Sequence, residues 1–299
     1  MTQQNRVRFV LPDGLRQSAE AGQHNFFMLV AEVLTEAGFL VEYGAGADGL
    51  ADGYSIFHME PPLSDRSLTV RRNLYYPFWQ IERSEKRWQW DVARDDFDSQ
   101  AVDARAATKF YRFWQTRLFG EAAKNPTQNG IVYVPLQGRL TQHRSFQTCA
   151  PLTMLEHVAA HAPDRRIVAT LHPKETYSEA ELSALEALAT RLPRLEIALG
   201  DMEQWLQACA YVVTQNSSAA FAGLFFGKPS ILFARIDFHH VMANVDALGV
   251  EGAFRAIDGL APDYAGYVWW FLQQRSINAG RPEAKQIIRA RLLHHGWPV

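Results

Sequence analysis

Between Gly130 and Phe233, short apolar runs alternate with helical stretches, and this constrains the fold more than any other feature of the chain. The apolar runs are 131–134, 166–171 (RIVATL), 195–199, 211–214 and 230–233. The helical stretches between them are 153–161, 178–192, 202–210 and 219–226. Ser178 and Glu181 have capping-box spacing, and Asp201 is expected to cap the helix after it. Apolar strands joined through helices stack side by side in parallel, with both faces covered. The expected result is a doubly wound α/β sheet.

The first half opens the same way. Residues 6–11 read as a strand, 12–25 as a polar loop and 26–37 as a helix with Phe27, Val30, Val33 and Leu34 on its apolar face. Strands at 39–43 and 54–59 follow. Residues 66–120 are less regular, rich in aromatics and arginine, and EAAKNPTQNG at 121–130 reads as a hinge. A chain of 299 residues fits two domains. The expected division is a first Rossmann-like lobe at 1–125, a second at 126–265 and a helical tail at 266–299.

Composition narrows the partners. Net charge is −2, which gives no electrostatic footprint for nucleic acid. Arginine and aromatics crowd 66–120, but Glu82, Glu85, Asp91, Asp95, Asp96 and Asp98 stand among them and would repel a phosphate backbone. A packed lobe with a wet rim is expected there, with a sugar-binding face as the alternative. Two cysteines, Cys149 and Cys209, make no disulfide framework and fit a cytoplasmic setting. The N-terminus lacks the apolar core of a signal peptide, and no run reaches the ~18 apolar residues of a membrane span. Peripheral attachment at the inner membrane stays open.

Ligands of open parallel sheets bind beyond the C-terminal strand ends. Three loops qualify: Pro135 to Arg139, His172 to Glu175, and Gln215 to Ser218. Gln137 could bond a base or sugar hydroxyl, and Arg139 a phosphate or carboxylate; the plain alternative is a solvated loop. His172, aimed by Pro173, suits phosphate binding or acid–base work, and Lys174 supplies a cation; a surface turn is the alternative. Asn216, Ser217 and Ser218 open a helix of small residues, as an anion site or as ordinary caps. The histidines at 157, 161, 294 and 295 read as surface or cap residues. His239 and His240 lack partners at metal-ligand spacing.

VPLQ (Val134 to Gln137), Thr141-Gln142 with Ser145, LHPKE (Leu171 to Glu175) and VVTQNSSAAFAGLFFGKPSILF (Val212 to Phe233) together resemble the bacterial capsule polysaccharide biosynthesis family, which includes the retaining β-Kdo transferases. The resemblance implies a glycosyltransferase-B-like fold. It also implies a nucleotide-sugar donor such as CMP-Kdo on the second lobe, and a glycan or glycolipid acceptor on the first. His172 and Lys174 would approach the donor phosphate; Asn216 to Ser218 would meet the phosphate or sugar carboxylate. No metal and no further cofactor are expected. The family's aspartate before the Thr/Ser-Gln pair is Leu140 here, so double displacement would need another carboxylate. Glu175 is the nearest, while Asp13 and His24 are candidates for activating an acceptor hydroxyl. The rival readings are a non-catalytic glycan- or nucleotide-binding member and a sugar-nucleotide epimerase.

Overall fold

The computed structural model describes residues 6–44, 49–50 and 52–299. The chain divides into two compact units, Met1–Asp95 with Trp270–Val299, and Asp96–Trp269. Among the described residues the strands are β1 (Arg6–Val10), β2 (Leu40–Gly44), β3 (Tyr54–His58), β4 (Ser67–Arg72), β5 (Phe78–Glu82), β6 (Ile131–Pro135), β7 (Arg166–Leu171), β8 (Leu195–Leu199), β9 (Cys209–Thr214), β10 (Ser230–Leu232), β11 (Ala243–Asn244) and β12 (Ile277–Asn278).

The first unit holds a sheet in the order β12-β5-β4-β3-β1-β2. Strands β1 to β4 are parallel, and β5 runs antiparallel to both β4 and β12. Val7 and Phe9 of β1 are fully buried against the helix Asn25–Glu36, whose Phe26, Phe27, Val30, Val33 and Leu34 are also fully buried. The segment 12–25, expected as loop, contains a helix, Asp13–Glu20. Only Ala19 of that helix is buried and most of its residues are polar, so the segment reads as loop; Arg16 pairs with Asp13 and Glu20.

Residues 66–120 are more regular than expected. Strands β4 and β5 bury Thr69, Gln80 and Glu82, and these polar residues hide the strand pattern. Two of them are engaged by groups outside the strand: Gln80 donates to the Arg275 carbonyl at 2.9 Å, and Glu82 accepts from the Asp91 N–H at 3.2 Å. The aromatics build the core, as the packed-lobe reading anticipates. Trp79 stacks on Phe26 at 4.4 Å, and Trp90 is buried with its indole N–H on the Ser84 carbonyl. The helix Ala104–Phe119, capped by Asp103, belongs to the second unit.

The expected tail is divided between the units at Trp269/Trp270. From Trp270 onward it completes the first unit. Strand β12 extends the sheet, and the helix Ala284–His294 adds Ile288 and Leu292 to the core, followed by Trp297. Lys285 and Arg289 pair with Glu36 across the helix surfaces.

In the second unit the order is β11-β10-β9-β6-β7-β8, with every pairing parallel. The chain starts at β6, winds outward through β7 and β8, then crosses to β9 and winds the other way. The strand order therefore reverses between β6 and β9, the crevice where doubly wound sheets bind ligands. Val132, Val134, Val213 and Ile231 form the core with Met154, Leu155 and Val158 of the helix Pro151–His161.

The stretch expected as a hinge is fastened inside this unit. Thr127 and Asn129 donate their N–H groups to the Gln207 and Ala208 carbonyls, and buried Lys228 donates to the Thr127 and Cys209 carbonyls. The unit boundary accordingly falls at Asp95/Asp96. Asp201 sits in the left-handed region with φ 54° and makes no side-chain cap, so it turns the chain instead of capping the helix Met202–Ala208.

Trp297 packs on Tyr54 at 4.8 Å and is 2% exposed. Trp297→Ala is expected to cost the first unit about 3–5 kcal/mol in urea unfolding. A loss below about 1 kcal/mol would contradict its place in that core.

Candidate functional site

The strand ends beside the reversal are tied laterally. The Leu136 N–H donates to the Thr170 carbonyl at 2.9 Å, the Thr214 hydroxyl to the Pro135 carbonyl at 3.0 Å, and the Phe233 N–H to the Thr214 carbonyl at 2.9 Å. The loop after β6 is stapled further along: Thr148 donates to the Phe233 carbonyl, and Arg235 N–H to the Phe146 carbonyl. The polar residues of these loops therefore stand on an ordered edge.

Gly138 explains how two of the loops meet. A Cβ there would come within 2.6 Å of a Glu175 carboxylate oxygen. Glu175 thus lies directly over the Gly138 backbone, and any side chain at 138 would push it away. Arg139 follows with φ 64°, an uncommon conformation for a non-glycine residue, and is exposed. The turn then drives Leu140 into the core, where it is fully buried, and its N–H donates to a Glu181 oxygen at 2.5 Å. Glu181 also completes the capping box with Ser178. Its carboxyl is held below the usual range, chiefly by the Ser178 N–H and further by the Leu140 N–H and Arg139.

Arg144 is the residue of this edge that sequence reading missed. It is half-buried, its Nε is enclosed without a hydrogen-bond partner, and its guanidinium lies 4.8 Å from the Phe146 ring centre. Burial pulls its pKa down, the nearby Arg139 pulls further, and Glu175 opposes them. Its only sequence signal is its place three residues after Thr141, inside the family-like segment.

The other expected residues fall as follows. Nδ1 of His172 accepts the Lys174 N–H at 3.2 Å, which leaves Nε2 as the donor of the neutral ring. The His172 N–H is held by the Tyr177 hydroxyl at 2.9 Å. His172, Lys174 and Glu175 are all exposed, and among the described residues no ion pair engages the Lys174 ammonium. Gln137 is half-buried with its side-chain oxygen enclosed and unpartnered. Gln215 is 2% exposed; its amide donates to the Cys149 carbonyl at 3.1 Å while its own oxygen has no partner. Asn216 is half-buried. Ser217 caps the helix Ser218–Leu224, accepting from the Ala219 N–H at 3.2 Å, so the plain capping role is filled; Ser218 is exposed.

In the first unit, Asp13 stands exposed in the first turn of its helix, 3.3 Å from Arg16. His24 caps the helix Asn25–Glu36 through Nδ1 and packs 5.3 Å from the Trp79 ring. Among the described residues no hydrogen bond joins Asp13 to His24. Sequence reading passed over His58, at the C-terminal end of β3. It is half-buried, and its pKa falls to about 4 through burial, then Arg71, His24 and Arg72. His24, His58 and the two arginines therefore interact electrostatically at the C-terminal edge of this sheet.

Two parallel-rich sheets, each wrapped by helices, define a two-unit α/β protein of glycosyltransferase-B architecture. Among solved structures, the Thermosulfurimonas dismutans KpsC β-Kdo 2,7 transferase matches with TM-score 0.58 at 12% identity, covering 97% of this chain and 99% of that one. The β-Kdo 2,4 transferase of the same protein matches with TM-score 0.47 at 10% identity, covering 85% and 90%. A UDP-GlcNAc 2-epimerase from Neisseria meningitidis matches with TM-score 0.34 at 8% identity, covering 98% and 100%. No protein-family model and no curated protein matches the chain. At 12% identity the first of these likenesses is one of fold, and it agrees with the resemblance read from the sequence. None of the described helices is long and apolar enough to cross a membrane.

His58 gives this unit a pH signature. Its folded pKa of about 4 lies below the ordinary histidine value of 6.5, so between those values the unfolded chain binds the extra proton. The stabilisation is complete above pH 6.5 and is lost as pH falls toward 4. Stability should therefore drop across this window in the wild type, and less steeply in His58→Gln. Equal slopes would show that His58 is not held neutral by the fold.

Proposed function

We propose that the protein is a glycosyltransferase whose second unit binds a nucleotide sugar at the edge beside the β6/β9 reversal. The observation that carries this reading is an excess of cations there. Arg139, Arg144 and Lys174 gather on loops after β6 and β7, while Glu181 is occupied by Ser178 and Leu140, leaving Glu175 as the available carboxylate. Such an edge favours a phosphorylated ligand. His172 would donate through Nε2 to a phosphate oxygen, and Gln137, Asn216, Ser217 and Ser218 would bond the sugar or base. On the leaving phosphate these donors and cations would offset developing charge.

Leu140 bears on the chemical step. It is a core residue, so the carboxylate that related transferases would carry at this point has neither a counterpart nor a solvent-facing position here. Glu175, exposed and packed over Gly138, is the carboxylate proposed to act in its stead. On the first unit, His24 and Asp13 are the proposed acceptor-activating groups, and a glycan or glycolipid the proposed acceptor. The buried Leu140 also favours a second reading, a non-catalytic member that binds the nucleotide sugar and assists a partner enzyme.

Titration with CMP, UDP, GDP and ADP tests the binding claim. At least one should bind, and Arg144→Ala should weaken it by about tenfold or more, the value of a lost charged hydrogen bond. Full affinity in that variant would remove Arg144 from the site. Glu175→Gln separates the two readings once a donor is found. A catalytic Glu175 predicts retained nucleotide affinity with at least about a hundredfold loss of donor turnover. Wild-type protein that binds donor without turning it over, with or without glycan acceptors, would favour the non-catalytic reading.

A further inference from the structure

Asp91, His294 and His295 meet in the first unit, on a surface with no part in the proposed transfer. One oxygen of Asp91 and one ring nitrogen of each histidine lie within 4.8 Å of one another. His294 Nε2 already stands 3.0 Å from Asp91 Oδ2. His295 is 4% exposed, and its Nε2 lies 2.9 Å from the Ile81 carbonyl. A carbonyl only accepts, so Nε2 carries the proton and Nδ1 keeps the lone pair. A ring nitrogen donating to a backbone carbonyl is the arrangement that orients metal-binding histidines and fixes their tautomer.

We propose that these three side chains form a site for a divalent transition-metal ion of the zinc class, with water completing the coordination. Two imidazoles and one carboxylate are a donor set such ions accept. Tetrahedral coordination at ~2.0–2.1 Å needs ligand atoms roughly 3.3 Å apart, so the group closes by small side-chain rotations. His294 is free to make them, its side chain being 64% exposed. Two cations border the group and each has acceptors of its own. Arg291, 4.0 Å from Asp91, is held by Glu82 and the Arg275 carbonyl; Arg83 donates to the Asp65 and His295 carbonyls. A bound ion would take the place of the proton that now links His294 to Asp91. It would fasten the end of the helix Ala284–His294 to the segment following β5. The site departs from the sequence expectation of no metal.

The test is thermal unfolding of the full chain in a non-chelating buffer, with and without 100 µM (~100 Kd for a micromolar site) zinc chloride. The wild type is expected to gain at least about 3 °C, reversed by chelator. His294→Ala should keep the metal-free melting temperature, because its side chain is exposed, and should lose the zinc-dependent gain. Asp91→Asn should lose it as well. His157→Ala breaks a different neighbouring histidine pair, His157 and His161, and should retain the gain. No gain in the wild type, an equal gain in His294→Ala, or a gain abolished only by His157→Ala would overturn the proposal.

Discussion

The reversal of strand order between β6 and β9 is the constraint on which the second unit's surface chemistry depends. Parallel strands leave the same end of every strand on one edge, and the reversal keeps helices from covering the gap between two neighbouring ones. Loops far apart in sequence then share that edge. The hydroxyl of Thr214, bonded to the Pro135 carbonyl, joins the strands across the reversal. What distinguishes this edge from a generic one is the packing of Glu175 over Gly138 and the burial of Leu140, which together set where the charged side chains stand.

Glu181 links local to long-range structure. It caps its own helix through Ser178, and the same carboxylate takes the Leu140 N–H. A local helix signal thereby anchors a loop 41 residues away. With Glu181 so engaged, Glu175 is the carboxylate that acts on Arg144. The same division of labour recurs in the first unit, where Gln80 and Glu82 look out of place in a strand until the returning chain at Arg275 and the Asp91 N–H supply their partners.

Much of this was legible in the sequence. Apolar runs with helices between them located five strands of the second sheet, β6 to β10, and missed the two-residue β11; the capping box at Ser178 formed as its spacing required. Legibility failed where the determining partner lies far along the chain. The polar residues Gln80 and Glu82 masked β5 because their partners come from elsewhere along the chain. The helix Asp13–Glu20 is mostly polar and buries one residue, Ala19, so it offers little apolar content to read. Residues 266–299 read as a tail because nothing local says that Ile288, Leu292 and Trp297 complete a core begun at Val7. Among the candidate site residues, His172, Lys174 and Glu175 stand out in the sequence by their place after a strand. Arg144 and His58 could not, since their significance lies in burial and in neighbouring charges.

Hydrogen exchange of the full chain with and without a saturating nucleotide tests the central claim most directly. Bound nucleotide should slow exchange in 136–145, 172–176 and 215–218 and leave the first unit's sheet unchanged. Protection confined to other segments, or no protection from any nucleotide at millimolar concentration, would contradict the assignment of this edge as the donor site.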